Sequence, residues 1–212
     1  MYISIEDKDI LKYIKDMISS FKIKNVDVNN AKFHHNTSYE ATTLILKHGI
    51  LSLVERNKLG ITKYSEEFFE KMSDTDSHVN DIDNISLSVM GLTDLDPKKM
   101  LYNPDDPSDI DLIISSDITA RRLSYHYDNE FLCFGSIPND KIKSVDIRLI
   151  KLIEKSKNND SINDIIEKYN LLRNIALTIN ELNLDIPIRE MSNNILTLDI
   201  EKLSKTPKLI LK

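Results

Sequence analysis

The residues of this chain that could do chemistry lie in three separated segments. His34 and His35 are adjacent in "KFHHNTSYE", Ser86 and Ser88 alternate in "ISLSV", and Glu130 opens "EFLCFGSI". An imidazole can donate and accept hydrogen bonds, and a carboxylate can stabilise a developing positive charge. Each residue alone also fits a structural role, such as a buried histidine bonded to the main chain or a solvated glutamate at a strand start. Their meaning therefore depends on the elements that position them.

An extended segment, a turn and a helix are predicted around the two histidines. Thr37 and Glu40 fit a capping box that starts the helix, and Gly49 is placed to end it in a left-handed turn. Alternate residues of an extended segment face opposite sides. We therefore expect His34 and His35 to point in opposite directions, so that at most one of them faces a given site.

The centre of the chain is predicted to be mostly β-structure, with helices at both sides of it. Apolar residues at helical spacing predict a helix over residues 6–21 and a long helix over residues 161–182. The tail "LILK" is predicted to be a loosely held end. Alternating and β-branched runs predict strands at residues 85–92, 110–118, 130–137 and 142–150.

These elements predict the α+β fold class, with an N-terminal helix and a C-terminal helical appendage. At 212 residues the chain is long enough for one sizeable core. We place a main domain at residues 1–150 and a helical extension at residues 151–212, packed on the same domain.

Composition narrows the class of protein. Hydrophobic residues make up 41% and charged residues 29%, and no apolar run approaches the roughly 20 residues needed to cross a bilayer. The first residues lack the features of a signal peptide, so we expect a cytoplasmic protein. The net charge of −6 does not attract nucleic acid as a whole, although a local basic patch could. Cys133, the only cysteine, lies in an apolar run and is predicted to be a small buried residue.

Several common kinds of site are not indicated. The sequence contains no P-loop, no Gly-x-Gly-x-x-Gly and no Gly-x-Ser-x-Gly motif. Its 5 histidines include no pair at convincing metal-ligand spacing, so no metal is predicted. The acidic stretch "YNPDDPSDID" lacks the glycine and the final glutamate of an EF-hand loop.

In their order and spacing, the three segments resemble the ADP-ribosyltransferase fold. "HNTSYEATTLILKHGILS" is similar to the first motif of the branch that includes DarT-type DNA ADP-ribosyltransferases, in which His-x-Thr precedes a helix that ends in Ile-Leu-x-x-Gly. "NEFLCFGSIPNDKIKSVDI" is similar to the third motif, in which the catalytic glutamate begins a strand that runs into Ile-Pro. The resemblance covers at most residues 33 to 147. The matching positions are His35, Thr37, Ile45, Leu46 and Gly49 in the first motif, and Glu130, Ile137, Pro138 and Ile142 in the third.

Ser86 and Ser88 resemble the second motif of a different branch, the one named for arginine, serine and glutamate. The chain therefore combines a histidine-type first motif with a serine-type second motif, which leaves the subfamily open. The resemblance implies a split β-sandwich core of the ADP-ribosyltransferase type.

The resemblance also implies NAD as a co-substrate. Transfer of ADP-ribose breaks the nicotinamide–ribose bond through an oxocarbenium-like state, and Glu130 would be the catalytic carboxylate that stabilises it. His35 would hydrogen-bond the ribose, and His34 would serve packing or face solvent. Arg56 occupies the region where a basic residue lies near the NAD phosphates, and a guanidinium suits a pyrophosphate. The residues predicted to bind NAD are His35, Asn36, Thr37, Arg56, Ser86 and Ser88.

The loop before Glu130 would correspond to the target-recognition loop of the family. It combines charge with rings on which a base could stack, in Arg121, Arg122, Tyr125 and Tyr127. Asp128 stands two positions before Glu130, where protein-modifying members often carry Glu or Gln, and this leaves the acceptor open among DNA, RNA, protein, small molecules and water.

Our leading hypothesis is a mono-ADP-ribosyltransferase of a bacterial or phage toxin system, with an antitoxin or inhibitor protein as a further partner. One alternative is a catalytically inert domain of the same fold that binds a nucleotide or a protein. Another is an unrelated α+β interaction module in which the motif matches arise by chance.

Overall fold

A computed structural model describes the chain at residues 2–5, 7–20, 31–61, 84–89, 110–122, 130–156, 159–192 and 195–211. Within these ranges helices and strands alternate in a mixed order, so the prediction of the α+β class is confirmed. The helices are α1 (Asp7–Ser19), α2 (Tyr39–His48), α3 (Leu53–Lys58), α4 (Leu149–Lys155), α5 (Asn159–Glu181) and α6 (Ile200–Ser204). The strands are β1 (Tyr2–Ile5), β2 (Ala31–Thr37), β3 (Ile50–Leu51), β4 (Asn84–Val89), β5 (Ile110–Ser115), β6 (Arg121–Arg122), β7 (Glu130–Phe134), β8 (Ser136–Ile137), β9 (Ile142–Ile147), β10 (Ile188–Glu190), β11 (Leu196–Thr197) and β12 (Lys208–Leu211).

Eight of the described strands form one sheet, in the order β11-β10-β9-β5-β2-β4-β7-β6. Strand β2 lies inside the sheet, antiparallel to β5 on one side and to β4 on the other. Strands β9 and β10 are parallel, because helices α4 and α5 lie between them and supply the long crossover that a parallel pair requires. The prediction of a split sandwich goes further than these described strands and remains a prediction.

Side-chain alternation gives the sheet an apolar face. Phe33 of β2 and Phe131 of β7 lie on it, with ring centroids 5.3 Å apart. Leu112 of β5 and Val145 of β9 are fully buried in the same core cluster. The apolar stripes of the helices complete this cluster, with Ile14, Leu46, Tyr169, Leu172 and Ile175 all at 0% exposure. Helices α1, α2, α4 and α5 therefore pack on one side of the sheet.

The helices predicted from apolar periodicity are confirmed, at Asp7–Ser19 and Asn159–Glu181. The predicted cap of α2 is wrong by one residue, because Thr37 still belongs to β2. Ser38 is the N-cap, and its hydroxyl accepts a hydrogen bond from the Ala41 amide at 3.2 Å. Gly49 ends the helix as predicted, but with φ 81° and ψ 178°, which is not the left-handed helical conformation.

The segment after residue 150 is more than a helical extension. It contains α5, yet it also supplies β10 and β11 to the main sheet. The prediction of a loosely held tail is wrong, since β12 pairs in parallel with β1. The side-chain amide of Asn170 on α5 makes two hydrogen bonds to this strand. Its Nδ2 donates to the main-chain oxygen of Leu209 at 2.9 Å, and its Oδ1 accepts from the main-chain nitrogen of Leu209 at 2.9 Å.

Glu190 at the end of β10 connects the extension to α4. Its side chain is fully buried and accepts hydrogen bonds from the main-chain nitrogens of Ile150 (3.3 Å) and Ser192 (2.8 Å). The carboxylate therefore satisfies the Ile150 amide in the first turn of α4, where a negative charge is favourable. Burial nevertheless raises the pKa of Glu190 above its ordinary value of 4.5.

Candidate active site

The three segments that the sequence analysis singled out lie on neighbouring strands. His34 of β2 is the cross-strand partner of Ser88 of β4, and Ser88 is in turn the partner of Glu130 of β7. Residues paired in this way across antiparallel strands belong to the same face of a sheet. For Ser86, Ser88 and Glu130 the structure describes the strand positions alone. We call the three positions His34, Ser88 and Glu130 the site row.

The two histidines have different surroundings. His34 is buried, with 7% of its surface exposed, and Nδ1 lies 3.4 Å from Oδ1 of Asp111. His35 is half-buried and pairs with Leu112 of β5. The expected opposite orientation is therefore present, and the histidine in the site row is His34. The predicted ribose contact of His35 remains a prediction.

The face that carries His34 contains buried charges on the adjoining strands. Asp111 of β5 accepts hydrogen bonds from Nη1 and Nη2 of Arg148, both at 3.3 Å from Oδ2. Asp146 of β9 is the cross-strand partner of Asp111. It accepts a hydrogen bond at 2.7 Å from Nε of Arg189 on β10. Burial raises the pKa of Asp146 above its ordinary value of 3.8, against the opposing effect of Arg189.

These four charged residues were not predicted from the sequence. A signal was present, because Asp111, Asp146 and Arg189 each interrupt an apolar strand, in "IDLIIS", "VDI" and "IPIRE". A charge in a strand that is otherwise buried requires a partner. The partners lie far away in the chain, and only the sheet brings them together.

Asn36 and Thr37 continue β2 beyond the histidines. Asn36 is exposed and pairs with Asp111, while Thr37 is half-buried and pairs with Ile110. They lie towards the end of β2 that leads into α2. Asn36 is one residue beyond His35, and Thr37 is three residues beyond His34. Both residues are therefore near the site row without belonging to it.

Arg56 lies in α3, outside the main sheet. Its side chain is half-buried, and Nε is buried without a hydrogen-bond partner among the described residues. A buried guanidinium nitrogen without such a bond is costly unless something else satisfies it. This feature is consistent with the predicted role of Arg56 in holding an anion.

The predicted acceptor loop is described only at its start. Arg121 and Arg122 form β6, which pairs with β7 beside Glu130, opposite Leu132 and Phe131 respectively. Tyr125, Tyr127 and Asp128 lie outside the described residues.

Cys133 is buried on β7, as predicted, and burial raises the pKa of its thiol. A thiol with a raised pKa is a poor nucleophile at neutral pH. Among the described residues, no group of three or more metal-ligating side chains is placed to hold a metal ion.

The comparisons with known proteins identify no family. Neither a scan against protein-family models nor a search of curated proteins found a match for this chain. Within the described ranges, no helix has the length and apolar character needed to cross a membrane.

Proposed function

We propose that this protein is a mono-ADP-ribosyltransferase that uses NAD. The observation that carries the proposal is the site row, in which the histidine, serine and glutamate segments occupy adjacent strands β2, β4 and β7. These three segments lie far apart in the sequence, and their adjacency in the sheet supports the proposal. The ADP-ribosyltransferase-like fold belongs to the same proposal.

The chemistry follows from the charge that develops when NAD is cleaved. The bond between ribose C1′ and the nicotinamide nitrogen breaks, and nicotinamide leaves as a neutral molecule with the bonding electrons. Positive charge then develops on the ribose, and the carboxylate of Glu130 stabilises it. A nucleophilic atom of the acceptor forms the new bond to C1′ and releases its proton to solvent or to a nearby base.

Two further features support NAD as the ligand. Arg56 has a buried nitrogen without a hydrogen-bond partner in the described part of the chain, and a guanidinium can bind a pyrophosphate through two oxygens. The buried polar groups beside His34 provide directed hydrogen bonds in a place from which water is largely removed, where such bonds are stronger.

The acceptor stays open among macromolecules and small molecules. An acceptor that is a cellular target would fit the predicted role as a toxin, and a second protein would then act as antitoxin or inhibitor. The arginines of β6 lie next to Glu130's strand, so an acceptor that approaches from this edge would meet positive charge.

The test is release of nicotinamide from NAD by the purified protein, with and without cell lysate. Wild type is compared with Glu130→Gln, and the matched control is Glu167→Gln on the exposed side of α5. We expect wild type and Glu167→Gln to release nicotinamide and to add an ADP-ribose mass to a lysate component. Glu130→Gln should lose this activity by about 100-fold or more, as is typical when a group that stabilises a transition state is removed.

NAD binding without release by wild type would support the inert nucleotide-binding alternative. If wild type neither binds NAD nor releases nicotinamide, the result would support the alternative of an unrelated module. Binding measurements on His34→Ala and His35→Ala separate the two histidines, because the motif comparison assigns the ribose contact to His35 whereas the site row contains His34.

A further inference from the structure

A cleft of about 960 Å³ lies beside the β11 edge of the main sheet. It is bounded by the turn Asn139–Lys141 and the start of β9, by the loop that joins α5 to β10, and by β11 and the start of α6. Strand β7, which carries Glu130, lies near the opposite edge of this sheet. The cleft is therefore separate from the site row, and its volume is in the range of ligand-binding clefts.

The cleft is lined by more negative than positive charge. Its charged lining residues are the four acids Asp140, Asp185, Asp199 and Glu201 and the single base Lys143. The whole chain also has a net charge of −6. A cleft lined by one sign of charge concentrates ligands of the other sign, so this cleft favours a cationic ligand and disfavours nucleic acid.

Two of the four acids have partners within the protein. Asp199 accepts a hydrogen bond at 2.9 Å from the main-chain nitrogen of Lys202, and Glu201 forms an ion pair with Lys205. The other two, Asp140 and Asp185, are exposed, and neither has a hydrogen bond or a salt bridge with another described residue. These two carboxylates can therefore accept hydrogen bonds from a cationic ligand without the loss of an existing contact.

Apolar side chains accompany the acids. Leu184, Pro187 and Ile200 line the cleft and are half-buried, so part of each is open to a ligand. Leu182 and Ile195 are 43% and 51% exposed, and each stands within two residues of a lining residue in the chain. A ligand that contacts both kinds of surface needs apolar groups as well as positive charge.

Lysine and arginine side chains meet part of this requirement, because their aliphatic stems can lie on apolar surface while the charged head contacts a carboxylate. We infer that the cleft is a docking site for a basic, amphipathic segment of a partner protein. Lysine or arginine side chains of this segment bind Asp140 and Asp185, and its apolar side chains pack on Leu184 and Ile200. This inference does not depend on the proposed function.

The probe is a library of random peptides displayed on phage and selected on the purified wild-type protein. We expect the selected peptides to contain lysine or arginine interspersed with apolar residues. Selected peptides without basic residues, or no selection of any peptide, would overturn the inference.

The affinity of a selected peptide is then measured for two double variants. Asp140→Asn with Asp185→Asn should weaken binding about tenfold, since each exposed ion pair contributes a few-fold to affinity. The matched control is Asp9→Asn with Glu167→Gln, which makes the same change in net charge at two exposed positions of α1 and α5 that do not line the cleft. The control should bind the peptide as wild type does. Equal losses in the two double variants would mean that the peptide responds only to overall charge, and the docking site would be excluded.

Spermine tests whether charge alone is recognised, because it is a polycation without apolar side chains. Ile195→Ser should weaken binding of the peptide several-fold and leave binding of spermine unchanged. If spermine binds as tightly as the peptide and is equally sensitive to Asp140→Asn with Asp185→Asn, the cleft binds a small polyamine and the inference fails. Glu130→Gln should bind the peptide as wild type does, so that the docking site and the proposed enzymatic activity are tested separately.

Discussion

At the scale of single residues, the buried acids have the clearest energetic consequences. Glu190, Asp111 and Asp146 are each at least nine-tenths buried, and each has a hydrogen-bond donor at its carboxylate. Removal of one member of such a pair leaves the other buried and unsatisfied, which costs more than the pair contributes. These residues should therefore tolerate substitution less well than the exposed acids of the helices.

Glu190 makes the stability of the protein depend on pH in a defined direction. Its pKa is raised in the folded state, mainly by burial, above the ordinary value of 4.5 that it has when unfolded. The folded protein thus holds this proton more tightly than the unfolded chain does. The contribution of Glu190 is fully present below pH 4.5 and is lost as the pH rises through the pKa of the folded state.

We predict that Glu190→Gln, which cannot ionise, changes the dependence of the protein's stability on pH. The free energy of unfolding of wild type should fall relative to that of Glu190→Gln as the pH rises from 4.5. Denaturant unfolding across this pH range measures the difference. The control is Glu167→Gln, at an exposed position of α5, which should give a flat difference. A wild type that gains stability over Glu190→Gln with rising pH would contradict the prediction.

At the scale of elements, α2 is delimited by one residue at each end. Ser38 caps its start, and at its end the main-chain amide of Gly49 donates a hydrogen bond of 2.7 Å to the Ile45 carbonyl oxygen. The helix places Leu46 in the core and follows directly on the strand that carries the histidines. Changes at either end should therefore affect both the packing of α2 and the position of β2.

Gly49→Ala should destabilise the protein by more than about 2 kcal/mol, because the backbone angles of Gly49, φ 81° and ψ 178°, are almost exclusive to glycine. A Cβ atom there would also lie 2.4 Å from the main-chain oxygen of Ile137, which cannot move aside easily. The matched control is Gly60→Ala, where φ is also positive (69°) but nothing lies within 4 Å of the added atom. Thermal unfolding should show the larger loss for Gly49→Ala, and equal losses would mean that the clash is relieved.

Ser38→Ala should cost about 1 kcal/mol through loss of the cap. Ser38→Asp should retain most of the stability, because its carboxylate can accept the same hydrogen bond from Ala41 and favours the helix N-terminus. Denaturant unfolding of both variants tests the cap. A loss in Ser38→Asp as large as that in Ser38→Ala would show that the hydroxyl has another role.

At the scale of the whole molecule, the two ends of the chain pair with each other. Strand β12 lies parallel to β1, and Asn170 of α5 binds the main chain of Leu209. The last strand is therefore tied both to the start of the chain and to the longest described helix. Loss of β12 should weaken contacts across the molecule rather than at one end.

Leu209→Ala should destabilise the protein by about 2–5 kcal/mol, the usual range for truncation of a buried leucine. Leu209 is 2% exposed, whereas the next residue, Ile210, is 48% exposed. Ile210→Ala is therefore the matched control and should change stability by about 0.5 kcal/mol or less. Similar losses at the two positions would indicate that β12 does not pack as described.

Local patterns in the sequence determined a large part of the fold. The apolar periodicity of α1 and α5 and the β-branched runs of β4, β5, β7 and β9 are properties of neighbouring residues, and these predictions are confirmed within a few residues. The opposite orientation of His34 and His35 also follows from local alternation. The cap of α2 was misplaced because Thr37 and Ser38 both suit the position, and the end of β2 decided between them.

Tertiary structure decided which residues meet. The strand order, the place of His34 rather than His35 opposite Ser88, and the pairing of Asp111 with Arg148 all depend on contacts between segments far apart in the chain. A strand pattern specifies which residues share a face, but it does not specify which strand lies beside it or in what register. The sequence by itself therefore determined the elements and the candidate residues, and the sheet determined how those residues are combined.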